Sequence, residues 1–178
     1  MEHPLHKTIG ECIAIDKFPG CKIIRDPACG GHHNVPLFCS KNKSNKTEYC
    51  DVDLLILKDD KIRVIIEIEE TAARPTQVCG KFLTSALSSY FIHESENNAP
   101  IGMSDTVTFI QILKAPQSKK SFIPIQWENL EESIKKRLPL KESRIQKYIL
   151  LYGSVSDFEN RDSDKYVKLI TCIEEALR

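Results

Sequence analysis

The fold of this chain is decided by Asp51-Val52-Asp53-Leu54-Leu55-Ile56-Leu57, a short polar stretch, and Ile62-Arg63-Val64-Ile65-Ile66-Glu67-Ile68-Glu69. Both stretches are rich in aliphatic and β-branched residues, which favour strands. The polar residues 58–61 between them are typical of a tight connection. The pattern therefore predicts a β-hairpin whose two strands carry acidic residues at the end far from the turn.

The side chains also predict the register of this hairpin. A three-residue loop over 59–61 pairs Lys58 with Ile62, and continued pairing brings Asp51 opposite Glu69. One face is then apolar: Val52, Leu54, Ile56, Ile62, Val64, Ile66 and Ile68. The other face has apolar residues near the turn and four carboxylates at the far end: Asp51, Asp53, Glu67 and Glu69. A shift of one residue would mix the two faces, so this register is favoured.

The four carboxylates predict a metal site. Directly opposed Cβ atoms lie about 5 Å apart, and like charges opposed across strands repel. A divalent cation reverses that cost, and Mg²⁺ prefers carboxylate oxygens, water and substrate phosphate as ligands. The alternative is an acidic hairpin end whose side chains point into water.

The rest of the chain predicts alternating helices and strands. We expect helices over 5–18, 76–92, 127–138 and 163–177, and strands over 21–25, 106–113 and 121–126. Residues 26–49 are expected to be irregular, and residues 144–152 fit either a helix or a strand. No internal repeat is present, and the length of 178 residues suits one domain.

The hairpin resembles the core motif of the PD-(D/E)XK nuclease superfamily, which has an Asp on one strand and Glu/Asp-x-Lys on the next. Here Asp53 and Ile65-Ile66-Glu67-Ile68-Glu69 carry the resemblance. The element order extends it over residues 5–113, with 114–178 as C-terminal additions. It implies an α/β fold with a restriction-endonuclease-like αβββαβ core, in which helices flank a mixed sheet, and a single nuclease-like domain over 1–178.

The resemblance also implies roles for the acidic residues. Asp53 and Glu67 would hold Mg²⁺, with Mn²⁺ as the alternative ion, while Asp51 would be a second ligand or a surface charge. Glu11 on the first helix would be the accessory acidic residue. Glu69 occupies the position of the motif lysine, so either Glu69 helps activate water or Lys81 reaches the site from the next helix.

The implied function is metal-dependent phosphodiester hydrolysis of DNA by a restriction-like endonuclease. Arg74 and Gln77, where the acidic strand leads into a helix, are expected to contact phosphate, because a helix N-terminus favours anions. Lys41 and Lys43 in the long loop are further candidates. A homodimer is expected if both DNA strands are cut. The alternative is a catalytically inactive, nuclease-like module that binds nucleic acid or protein.

The long loop also contains four zinc-ligand candidates: Cys29, His32, Cys39 and Cys50. Cysteine and histidine are the residues that hold structural zinc, and such a site would fix the loop. Their spacing matches no standard finger or ribbon, so the alternative is reduced thiols in a polar loop.

Composition narrows the cellular setting. The chain has 25 basic and 25 acidic residues, so no overall field drives it to nucleic acid or a membrane. No apolar run approaches the roughly 18 residues that span a bilayer. Its N-terminal stretch does not resemble a signal peptide. Seven cysteines without an export signal favour reduced thiols, so we expect a cytoplasmic protein.

Overall fold

A mixed sheet with helices on both faces organises the α/β fold. The computed structural model describes residues 3–14, 17–71, 73–115 and 124–178. Its helices are α1 (Pro4–Cys12), α2 (Pro75–Leu87), α3 (Pro124–Lys135), α4 (Val155–Glu159) and α5 (Asp164–Ala176). Its strands are β1 (Cys21–Arg25), β2 (Pro36–Phe38), β3 (Glu48–Asp51), β4 (Leu54–Lys58), β5 (Lys61–Glu69), β6 (Tyr90–Phe91), β7 (Ile101–Lys114) and β8 (Ile145–Gly153).

The strand order places the acidic hairpin in the centre of the sheet. β1, β4 and β5 are antiparallel neighbours, whereas β5, β7 and β8 run parallel to one another. β3, β2 and β6 form a side ribbon that joins the start of β7. β5 therefore has a neighbour on each side, which explains why its sequence is an almost unbroken apolar run.

Two apolar cores lie on opposite faces of the sheet. On one face α2 and α3 cover side chains that include Leu55, Ile65, Phe109 and Tyr148. On the other face α1, α4 and α5 cover side chains that include Leu54, Ile56, Ile66 and Ile110. Strand alternation produces this division, and it directs Glu67 and Glu69, which share the parity of Ile65, toward α2.

The predicted hairpin register is confirmed in the middle and wrong near the turn. Leu54, Leu55 and Ile56 pair with Ile66, Ile65 and Val64 as predicted. The turn, however, contains only Asp59 and Asp60, which both have positive φ, 52° and 55°. This is the geometry of a two-residue turn that matches strand twist. A bulge around Arg63 follows, so Leu57 pairs with Ile62, and Ile62 belongs to the core under α2.

The far end of the hairpin also differs from the prediction. Asp51 belongs to β3 and pairs with Pro36, and the Val52 amide donates to the carbonyl of Val35. These bonds draw residues 51 and 52 away from β5, so the predicted pairs with Ile68 and Glu69 do not form. Val52 packs in the core under α2.

Several other boundaries differ from the sequence expectations. α1 ends at Cys12, and the Lys17 ammonium donates to the Cys12 carbonyl at 2.8 Å, which satisfies one of the carbonyls left free at the helix end. The region expected to be irregular, 26–49, contains β2 and part of β3. Residues 145–153 form a strand. Residues 124–126 are helical, not extended, and 121–123 of that predicted strand lie outside the described residues. None of the described helices combines the length and apolar character required to cross a membrane.

Candidate metal centre

The carboxylates of the hairpin meet at the C-terminal end of β5. Glu67 and Glu69 point to the same face of the strand, and Asp53 lies just before β4. The Asp53 carboxylate accepts a hydrogen bond from the Ile68 amide at 2.6 Å. This bond fixes Asp53 across the end of β5, even though Asp53 is no longer paired as a strand residue. The hairpin therefore still brings three of its four predicted carboxylates together.

Lys81 reaches this group from α2. Its Nζ lies 2.9 Å from Glu67 Oε2 and 2.9 Å from Glu69 Oε1. Because α2 starts at Pro75, shortly after β5 ends, Lys81 falls on the turn of α2 that covers the two glutamates. Burial alone would lower the pKa of Lys81, but the charges of Glu67 and Asp53 outweigh it and raise that pKa. Lys81 is therefore a firmly charged member of the group.

Glu67 is the most enclosed of the carboxylates, with a side chain only 1% exposed. Burial and the charge of Asp53 raise the pKa of Glu67 to about 8, although Lys81 opposes the shift. Glu67 Oε1 is buried and has no hydrogen-bond partner among the described residues. An unpaired buried carboxylate oxygen is costly, so this atom suits an additional positive ligand.

His6 brings α1 into the same site. Its Nε2 lies 3.6 Å from Asp53 Oδ1, and its Nδ1 lies 3.0 Å from Glu70 Oε2. Burial lowers the pKa of His6, but Asp53 and Glu70 together more than reverse this, so the pKa is raised. Burial raises the pKa of Asp53, and His6 and Lys81 lower it more strongly. The imidazole thus connects two carboxylates.

Glu70 closes the group on the solvent side. Its Oε1 accepts from the Leu5 amide at 3.0 Å and lies 3.2 Å from the Lys114 Nζ. A cleft of about 390 Å³ opens here, and its polar lining consists of His3, His6, Glu69, Glu70, Thr71, Lys81 and Lys114. A site with carboxylates below and cationic side chains around the opening can hold a divalent cation and a phosphate group.

No protein-family model, no curated protein and no solved structure matches this chain. The chemistry of these side chains therefore carries the information about function.

Two predicted acidic ligands lie elsewhere. Asp51 is exposed on β3, because the side ribbon draws it away from β5. Glu11 is exposed on α1. It lies five residues after His6, and five residues at 3.6 per turn place it about 140° around the helix from the face that contacts Asp53. The geometry thus brings His6, and not Glu11, from α1 to the site.

The four zinc-ligand candidates do not converge. Cys29 packs in the core under α1, whereas Cys50 lies on the other side of the sheet, with its Sγ 3.7 Å from Ser85 Oγ. In the described part of the chain, one group of three metal-binding side chains lies within 4.8 Å, and it includes neither Cys39 nor His32. In this structure these four side chains therefore do not form the single zinc site that the sequence analysis predicts. Backbone pairing of β2 with β3 and β6 holds the loop instead.

The predicted phosphate contacts are divided between two regions. Arg74 and Gln77 are exposed at the start of α2, where the Gln77 side chain accepts from the Arg74 amide at 2.9 Å. Lys43 donates to Asn98, and Lys41 lies over the ring of Tyr90. Tyr90 pairs with Gly102, nine residues along β7 from the partner of Glu67, which corresponds to about 30 Å of strand. Lys41 and Lys43 are therefore remote from the carboxylates.

Several site residues escaped the sequence analysis, among them His6, Glu70 and Gln111. Gln111 is fully buried on β7 and pairs in register with Glu67. It is the one amide in the apolar run 107–113, and such an interruption is a usable signal. His6 adjoins the apolar positions Leu5 and Ile9, whereas nothing local separates Glu70 from a surface residue.

Proposed function

We propose that this protein is a metal-dependent nuclease that hydrolyses phosphodiester bonds in DNA. The observation that carries the proposal is Lys81, whose Nζ lies 2.9 Å from both Glu67 and Glu69. In the PD-(D/E)XK motif, which residues 51–69 resemble, a lysine accompanies the Asp and Glu. Lys81, from the following helix, would supply the positive charge of the motif lysine, whose position on the strand is occupied by Glu69. The αβββαβ element order is compatible with a restriction-endonuclease-like core.

Asp53 and Glu67 fit a Mg²⁺ or Mn²⁺ ion. Both offer hard oxygen ligands, and Glu67 Oε1 is a buried oxygen with no hydrogen-bond partner among the described residues. A bound ion would polarise the phosphodiester and lower the pKa of a water molecule. In this proposal the ion also offsets the repulsion between the two carboxylates, which is one source of the raised pKa of Glu67.

The other side chains have roles that follow from their positions. Lys81 is 38% exposed toward the cleft, so its ammonium can both hold Glu67 and stabilise charge that develops on a phosphate. Glu69 faces the cleft and can orient a water molecule or accept its proton. Lys114 at the opening provides positive charge for the phosphates that flank the cleavage site.

A second candidate is a nuclease-like binding module without catalysis. It is favoured by the same ion pairs, because Lys81 already neutralises much of the charge of Glu67 and Glu69 without a metal. In that case the acidic group would be a structural network, and DNA binding would not depend on a divalent ion.

Cleavage of supercoiled plasmid separates the two candidates. Wild type is incubated with Mg²⁺, with Mn²⁺ and with a chelator, beside Glu67→Gln and Lys81→Met. Glu48→Gln and Lys168→Met are the matched controls, since both residues are exposed and lie outside the cleft. We expect nicking that requires the metal and falls at least about 100-fold in the two site variants, as for lost transition-state stabilisation of about 3 kcal/mol.

Each outcome favours one candidate. An equal loss of nicking in the site variants and in the controls would contradict the assignment of Glu67 and Lys81 to the catalytic centre. DNA binding in a gel shift without cleavage of plasmid, short duplexes or single strands would support the binding module. Cleavage of single-stranded RNA but not of DNA would support phosphodiester hydrolysis and would show that RNA, not DNA, is the substrate.

A further inference from the structure

We propose that His3, His6 and Glu70 form a second metal site, for a transition-metal ion such as Zn²⁺. In the described part of the chain this is the group of metal-binding side chains whose ligand atoms lie within 4.8 Å of one another. Glu70 Oε2 lies 3.0 Å from His6 Nδ1 and 3.6 Å from His3 Nδ1. All three residues line the same cleft.

The donor set separates this site from the Asp53–Glu67 pair. Two imidazoles and one carboxylate suit Zn²⁺ and its neighbours in the first transition series, whereas Mg²⁺ prefers oxygen ligands alone. Three protein ligands leave a fourth position open, which is the arrangement of zinc sites that bind water or substrate. The cleft of about 390 Å³, which all three residues line, provides space for a ligand in that position.

The surroundings of the ligands give independent support. The N–H on the second ring nitrogen of a ligating histidine usually donates a hydrogen bond to a carboxylate, which fixes the ring and its tautomer. The Nε2 of His6 lies 3.6 Å from Asp53 Oδ1, while Nδ1 faces Glu70. Glu70 is oriented in the same way, because its Oε1 accepts from the Leu5 amide and contacts Lys114, which leaves Oε2 to face the histidines.

The backbone holds the ligands in place and leaves a path for an ion. His3 precedes the first turn of α1, and His6 follows three residues later on the same side of that turn. Pro4 favours the helical conformation at the first position. His3 is 43% exposed and also lines a larger cavity of about 900 Å³ between the α1 N-terminus and the segment 26–34. An ion can therefore enter from solvent without rearrangement of the fold.

Titration of the full chain with Co²⁺, followed by visible absorption, tests this site directly. Co²⁺ bound to nitrogen and oxygen ligands gives weak d–d bands, and thiolate ligands add intense charge-transfer bands. We expect the weak bands alone, removed by stoichiometric Zn²⁺ and unchanged by excess Mg²⁺. His3→Ala and Glu70→Gln should weaken Co²⁺ binding at least about 10-fold, with His32→Ala as the matched control that leaves it unchanged.

His3→Ala is the decisive variant, because its exposed side chain can be removed without loss of the fold, which a thermal melt verifies. Wild-type affinity in His3→Ala would overturn the proposal, as would dominant thiolate bands. If Glu67→Gln abolished Co²⁺ binding while His3→Ala retained it, the ion would belong to the Asp53 carboxylate group and the second site would be rejected. These results do not depend on DNA cleavage, so they are informative whether or not the proposed nuclease function holds.

Discussion

At position 111 a glutamine lies in the middle of an apolar strand, directly beside Glu67. The Tyr148 hydroxyl donates to Gln111 Oε1 at 2.9 Å, and both side chains are buried. Gln111 Nε2 is a buried donor and Glu67 Oε1 is a buried acceptor, and neither has a partner among the described residues. The two residues are register neighbours on β7 and β5, so their side chains emerge on the same face of the sheet. We therefore interpret Tyr148 as a residue that holds Gln111, so that the side-chain amide of Gln111 is oriented toward Glu67.

The pair should show energetic coupling. Tyr148→Phe leaves Gln111 Oε1 without its donor and should cost about 1–3 kcal/mol of unfolding free energy. Gln111→Met should cost less unfolding free energy. It removes the acceptor of the Tyr148 hydroxyl, but it also removes the unpaired Nε2 donor. The double variant should be more stable than the sum of the single effects predicts, by about 1 kcal/mol. Denaturant unfolding in a chelator measures all four proteins.

Tyr49→Phe is the control for that cycle, since Tyr49 is 45% exposed and its change should stay within about 0.5 kcal/mol. Additive effects of the two buried changes would show that the hydroxyl and the amide act separately. That result would remove the reason to regard Gln111 as part of the site.

The position of helix α1 depends on a glycine. A Cβ added at Gly10 would lie 2.1 Å from the carbonyl oxygen of Cys29, so the helix contacts the backbone of the turn at 27–29 directly. This close approach lies one helical turn beyond His6 on α1. It also explains why Gly10 interrupts an otherwise apolar helix face.

Two glycine-to-alanine substitutions test that contact, because we expect them to change the stability of the protein in opposite directions. Alanine favours a helix over glycine by about 1 kcal/mol. Gly80 is exposed on α2 with no atom within 4 Å of an added Cβ, so Gly80→Ala should stabilise the protein by about that amount. Gly10→Ala should destabilise it by about 2 kcal/mol or more, because the backbone of residue 29 must move. Thermal unfolding measures both, and stabilisation by Gly10→Ala would show that α1 is not held at this distance.

The individual strands and helices show how much of the fold and the site could be predicted from the sequence. Aliphatic alternation identifies β5, and with it the pairing of Leu54 with Ile66, because one buried face admits a single register. The bulge at Arg63 was not predictable, because two aspartates with positive φ shorten the turn. Lys81 could be proposed only from the resemblance to the PD-(D/E)XK motif, which contains a lysine. Asp51 was misplaced because its partner is the distant strand β2, and His6 was missed because only the tertiary fold brings α1 to Asp53.

For the molecule as a whole, the titratable groups of the site should control stability near neutral pH. The pKa of Glu67 is raised from an ordinary value of 4.5 to about 8, and the pKa of His6 is raised above 6.5. The folded state thus binds more protons than the unfolded chain across this range, so stability falls as pH rises. Asp53 and Glu70 have lowered pKa values and act in the opposite sense, since their contribution is lost in acid. The metal-free protein should therefore be most stable somewhat below pH 7.

A divalent ion should move that optimum upward. In a chelator, unfolding free energy should decrease between about pH 6 and pH 8, and Glu67→Gln should remove about 2 kcal/mol of the decrease, since one proton contributes at most about 1.4 kcal/mol per pH unit. Excess Mg²⁺ should restore wild type at pH 8, by about 2.7 kcal/mol at 100 times the dissociation constant, and leave Glu67→Gln nearly unchanged. Comparison with the variant cancels the contributions of groups that the substitution does not affect. Parallel pH curves for the two proteins would show that Glu67 is not the buried acid of the site, and an equal Mg²⁺ effect on both would place the ion elsewhere.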